Sequence, residues 1–184
     1  MKKLNKVVKI VAKVFEVVHW VLAGIMVLMA ICSGQVAERL NSFYNMTGSA
    51  QTAEASVYGF EVELMNAAGK INATTLMLFA IGAVFLYILV AMIFRNIYLI
   101  IKKSESETPF NNDNIRMVRE IGIFSIAMPI IGLIMSTIIR LVVGVDFTEI
   151  NVKLYGFVMG IIMLCLSQFF AYGAKLEKDV DGLL

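Results

Sequence analysis

The chain has 184 residues, 59% of them hydrophobic and only 16% charged, with a mean hydropathy of +0.81. A soluble domain carries about a quarter of its residues as charges, so this composition excludes an ordinary soluble enzyme or binding module. The formal net charge of +2 is too small for direct nucleic-acid binding. Two cysteines, Cys32 and Cys165, make neither a disulfide framework nor a metal site.

Residues 1–13 hold Lys2, Lys3, Lys6, Lys9 and Lys13 and no acid. The apolar run Val14–Ile31 follows and reads as a retained first transmembrane helix. It is long for the core of a signal peptide. Residues 34–74 then form a polar connection. Gln35–Phe43 extends as a short helix, and Ser49–Ala55 reads as a mobile loop. Val57–Leu64 alternates apolar and polar residues, which admits a strand or hairpin before a turn over Asn66–Gly69.

Leu76–Phe94 is free of charge. At about 1.5 Å per residue, its 19 residues match the hydrocarbon core of a bilayer. No breaker stops that helix before Lys103. The link 95–120 contains Thr108-Pro109-Phe110-Asn111-Asn112-Asp113, which has the grammar of a helix start. Thr-Pro ends what came before, Asn111 is a good N-cap, and Asp113 favours the positive end of the helix dipole. Phe110 and Ile115 have the spacing of a hydrophobic staple. Ile121–Ile139 is the third span, with a kink expected at Pro129. Val145–Lys153 is a short polar link, Leu154–Tyr172 the fourth span, and Lys175–Leu184 a charged tail.

The fold expected is an all-α membrane protein: one domain over 1–184, with four transmembrane helices in an up-down bundle and an outer loop region able to hold short strands. Of the basic residues near span ends, twelve fall on the face holding both termini and the 95–120 link. Four fall on the other face, Arg39, Lys70, Arg140 and Lys153. The positive-inside rule therefore makes both termini and the 95–120 link cytoplasmic, and the 34–74 and 145–153 links external.

Thr108-Pro109-Phe110 with its helix start, and the ending Tyr172-Gly173-Ala174-Lys175-Leu176-Glu177-Lys178-Asp179-Val180-Asp181-Gly182-Leu183, resemble a bacterial family known as domain of unknown function 2975. The resemblance covers most of the chain and least of all the 34–74 connection. It implies a small protein of the bacterial inner membrane whose gene often lies beside a small helix-turn-helix regulator. It implies no catalytic residues.

Two sets of residues stand out. Glu16 and His19 share a face of the first helix, and ionisable residues within a span are a functional hypothesis by default. With Ser125 and Gln168 at matching depth, they are expected to form a polar layer in the inner leaflet, with Arg95 or Lys175 neutralising Glu16. That layer serves either interhelical hydrogen bonding or a ligand or proton site. The second set is Phe110, Asn111, Asp113, Arg116 and Arg119, a shaped helix start able to dock a cytoplasmic protein. Gly156 with Gly160, and Gly132 with Ser136, are small-xxx-small pairs that serve packing within the chain or a homo-oligomer. There is no nucleotide-binding glycine loop, no His-Glu-x-x-His motif and no nucleophile-base pair, so no cofactor, metal or catalysis is expected. Three classes remain: a membrane-anchored regulatory partner, a small transporter, channel-like or immunity-type protein, and, last, an enzyme.

Overall fold

The computed structural model describes residues 2–47, 53–66, 68–105, 108, 110–144, 147 and 154–181. In chain order these form α1 (Lys2–Ile31), α2 (Ser33–Thr47), β1 (Glu54–Val57), β2 (Phe60–Glu63), α3 (Ala73–Lys103), α4 (Asn112–Val142) and α5 (Tyr155–Asp181). Helices α1, α3, α4 and α5 are long and apolar enough to cross a membrane. Each runs past the apolar stretch that predicts it: α3 reaches Lys103, as the lack of a breaker implies, and α4 continues through Pro129. The short helix expected at 35–43 is longer, and the i→i−4 bonds from Cys32 to Leu28 and from Val36 to Cys32 carry the ladder across the junction between α1 and α2. Most of the 145–153 link and part of the 49–55 stretch lie outside the described residues.

The chain divides into two compact units. The first comprises residues 1–20, 89–127 and 154–184; the second comprises 21–88 and 128–153. Three of the long helices contribute to both.

The main apolar core belongs wholly to the second unit, and a hairpin is at its centre. The turn between β1 and β2 is two residues, Tyr58 and Gly59, with φ of 47° and 88°. Both left-handed values match a two-residue turn that follows strand twist; glycine takes the second place without steric cost, while tyrosine at the first carries the strain itself. Alternation then sends Val57, Phe60 and Val62 inward and leaves Glu54, Ser56 and Glu61 exposed. Phe60 is 2% exposed and stacks on Phe79 of α3, with ring centroids 5.5 Å apart. It has room because two helices present glycine: a Cβ on Gly82 would lie 2.7 Å from the Phe60 ring, and one on Gly132 would lie 3.6 Å from its Cβ. The part of the 34–74 connection that sequence reading treats as outer loop thus supplies the core of this unit.

The connection is pinned by asparagines. Asn41 of α2 accepts from the Ile71 amide at 2.7 Å, Asn66 Oδ1 accepts from the Ala68 and Lys70 amides, and Asn72 caps α3 through the Thr74 and Thr75 amides.

In the first unit, α4 and α5 approach backbone to backbone. A Cβ on Gly160 would meet Ile126 and lie 2.8 Å from the Gly122 carbonyl; one on Gly122 would lie 3.0 Å from the Gly160 carbonyl. Gly160 therefore serves packing within the chain, against Gly122, while Gly132 and Ser136 serve the hairpin in the second unit.

Candidate functional site

The start of α4 in the first unit is built as its residues dictate. The Asn111 side chain accepts from the Asp113 amide at 2.9 Å, and its carbonyl takes the first helical bond from Ile115 at 3.1 Å. Asp113 pairs with Lys103 at the end of α3. Buried Asn114 donates to Ser104 Oγ at 3.3 Å, and the Ser104 hydroxyl donates to the Ile100 carbonyl at 2.8 Å. Deeper along the same helices, Asn96 donates to Glu120 at 3.0 Å, and Arg116 approaches Glu120 at 3.5 Å. Arg116 and Arg119 are exposed. The turn is thus tied to α3 by polar groups that composition alone does not reveal. Asn96, Ser104 and Asn114 matter here, and their only sequence signal is an amide or hydroxyl near an apolar run.

Phe110 has a seat beyond the one its staple spacing predicts. Its ring lies against α5, edge-on to Phe170 at 5.8 Å. A Cβ on Gly173 would come within 2.9 Å of that ring, so glycine there makes the seat. Beside it opens a cleft of about 500 Å³ lined by Thr108, Phe110, Asn111, Asn112, Ala174, Glu177 and Lys178. Its wall is amide, aromatic and mixed charge. Pro109 lies outside the described residues.

The expected polar set of Glu16, His19, Ser125 and Gln168 does not assemble as one layer. Glu16 and His19 are buried, at 7% and 4% exposure. Glu16 is neutralised by neither Arg95 nor Lys175 but by Lys13, one turn away, at 3.0 Å. Lys13 also stands 5.4 Å from the Tyr98 ring centroid, a cation–π distance. His19 Nδ1 is 2.6 Å from the Phe15 carbonyl, a contact that fits an N–H on that nitrogen, and its ring packs 5.6 Å from Phe94. Ser125 turns its hydroxyl to the Ile121 carbonyl of its own helix. Gln168 is exposed; the buried polar residue of α5 is its neighbour Ser167, at 1% exposure and bonded to the Leu164 carbonyl. One residue is about 100° of helical rotation, so depth alone put Gln168 on the wrong face.

The alternation over Val57–Leu64 admits a hairpin but does not give the place where it lies. In the second unit, the hairpin tip lies along α4 at Met128, Pro129, Gly132, Leu133 and Ser136. Tyr58 meets Tyr87 edge-on at 6.0 Å, and burial, then the neighbouring Tyr87, hold the Tyr58 hydroxyl above its usual pKa. It stays a neutral phenol at physiological pH.

Four membrane-length helices define the class: this is a multi-pass helical membrane protein. No protein-family model, curated protein or solved structure matches the chain.

Proposed function

We propose that the protein is a membrane-anchored docking partner for a soluble protein. One observation carries this reading: the cleft beside Phe110, walled by a capped helix start on one side and by Ala174, Glu177 and Lys178 of α5 on the other. Topology needs only basic charge on this face, whereas a seated aromatic, a cap and cross-helix polar ties preorganise a surface. In this reading the four helices run up and down with both termini cytoplasmic, in a bacterial inner membrane, and the cleft faces the cytoplasm. The resemblance to the domain of unknown function 2975 family favours a small helix-turn-helix regulator as the occupant. A photo-crosslinking amino acid at Asn112 tests this in cells. The expected result is an adduct with one such regulator, lost in Lys178→Glu; adducts with lipid alone contradict it.

A transporter, channel-like or immunity-type role is the second reading. Buried Glu16 and His19 favour it, since ionisable residues in a span are costly to keep. If Glu16→Gln and His19→Ala abolish a cellular phenotype while Asn112 yields adducts with lipid alone, this reading displaces the first.

A further inference from the structure

The hairpin sits at a level where a hairpin is unexpected. Gly82, against which Phe60 packs, is six residues into the apolar run that starts at Leu76, about 9 Å along the helix. On α4, Gly132 and Pro129 precede Ile139 by seven and ten residues, about 10 and 15 Å. Half of a hydrocarbon core is about 15 Å. If those runs fill the bilayer, the tip at Tyr58 lies near its middle, and strands of four residues, about 13 Å, climb from there toward the surface.

Such a position conflicts with lipid in three ways. The sheet has two strands only, and among the described residues no further strand pairs with β1. A two-residue turn makes Val57 and Phe60 a hydrogen-bonded pair, so the alternate residues Ser56 and Glu54 aim their backbone groups away from β2. An open edge of that kind does not survive in hydrocarbon. Next, Glu54 and Glu63 are direct cross-strand partners, and Ser56 and Glu61 lie on the same face. Carboxylates opposed in that way repel, and hydrocarbon would strengthen the repulsion. Last, the exposed surface of α4 on its other side is apolar, as a lipid-facing surface would be. Its stripe away from the hairpin is Ile130, Ile134, Thr137 and Leu141, all exposed, and Thr137 satisfies its hydroxyl on the Leu133 carbonyl. The α4 face toward the hairpin carries Gly132 and the buried Ser136 instead.

We propose that the outward face of the hairpin lines a water-filled crevice in the outer half of the membrane domain. It opens to the outside and admits small hydrophilic solutes down to the level of Tyr58. Water satisfies the β1 edge and screens the carboxylates, while lipid covers the Ile130–Ile134 stripe at the same height. Its sidedness rests on the topology proposed above; its existence does not.

Scanning-cysteine accessibility tests this in the full-length chain with Cys32→Ala and Cys165→Ala. Ser56→Cys, Glu61→Cys, Ile130→Cys and Ile134→Cys are exposed in turn to a membrane-impermeant, positively charged methanethiosulfonate in whole cells. Thiols that remain are then counted with a maleimide in detergent. The expected result is near-complete modification at 56 and 61 and protection of at least tenfold in rate at 130 and 134. Modification at all four positions means that the helix ends stand out of the membrane, and overturns the crevice. Protection at all four, with full maleimide reaction after denaturation, means that lipid or chain covers the hairpin, and also overturns it. Modification of 56 and 61 only in inside-out vesicles keeps the crevice but rejects the topology, so the two failures are distinguishable.

Discussion

Around the hairpin, buried residues are almost all apolar: Phe60, Val62, Phe79, Leu86, Met135 and Ile139 form one continuous cluster. In the unit that holds both termini, buried positions include Glu16, His19, Asn96, Asn114 and Ser167. Three helices supply both units, so the contrast arises from which residues each half of a helix carries. An apolar core is non-directional and gains with area, so it makes a stable base. Polar pairs give little net stability but fix geometry, which suits a surface meant to present one shape. Under the proposed docking role, the difference would give anchoring to one unit and recognition to the other.

Removing the hairpin wedge should cost most. Phe60→Ala empties a fully buried site and is expected to lose about 3–5 kcal/mol, read as thermal unfolding in detergent. A loss below about 1 kcal/mol would show that the hairpin is peripheral and dissolve the contrast.

Glycine substitutions sharpen it next. Gly160→Ala forces a Cβ onto Ile126 and the Gly122 carbonyl and should cost about 1–3 kcal/mol. Gly24→Ala meets nothing within 4 Å and should be neutral or slightly stabilising. Equal effects at the two sites would mean that helix propensity, not the α4–α5 crossing, is being measured.

Smaller effects are expected in the polar unit. Asn111→Ala removes the cap of α4 and should cost about 1 kcal/mol while loosening the Phe110 cleft. Glu16→Gln keeps the shape and loses an ion pair whose lysine is half exposed, so less than about 1 kcal/mol is expected. A loss of several kcal/mol there would place the main stability of the protein in the wrong unit.

Much of this was readable beforehand, and for physical reasons. A run such as Leu76–Phe94 has one stable fate, because only a helix satisfies its backbone in lipid. Asn111 and Asp113 announce a helix start locally. Alternation over Val57–Leu64 showed that a strand has an apolar face, but the Tyr58-Gly59 turn sets β1 at Glu54–Val57, so that Glu54 and Ala55, expected in a mobile loop, are strand. It could not show what the face packs on, since Gly82 and Gly132 are distant in sequence, Gly82 looks like any helix glycine, and the Gly132–Ser136 pair signals close packing without naming its partner. The same gap explains the candidate sites. Depth along a span is additive and legible, but facing depends on which neighbour each helix finds. Gln168 therefore turned outward, Phe110 found a seat against Gly173, and Lys13 took the place given to Arg95 or Lys175.

The wedge itself can be tested by one covalent bond. The Cβ of Phe60 and a Cβ built on Gly132 would be 3.6 Å apart, within the range of a disulfide, and no other atom crowds that position within 4 Å. With Cys32→Ala and Cys165→Ala, the pair Phe60→Cys and Gly132→Cys should close within one chain under mild oxidation. The oxidant takes two electrons, intact mass would be lower by two hydrogen atoms and no thiol would be left for maleimide, whereas the pair Phe60→Cys and Thr137→Cys should stay open. If Phe60→Cys and Gly132→Cys remain two free thiols while the control behaves identically, the hairpin is not seated between the helices and the account fails at its centre.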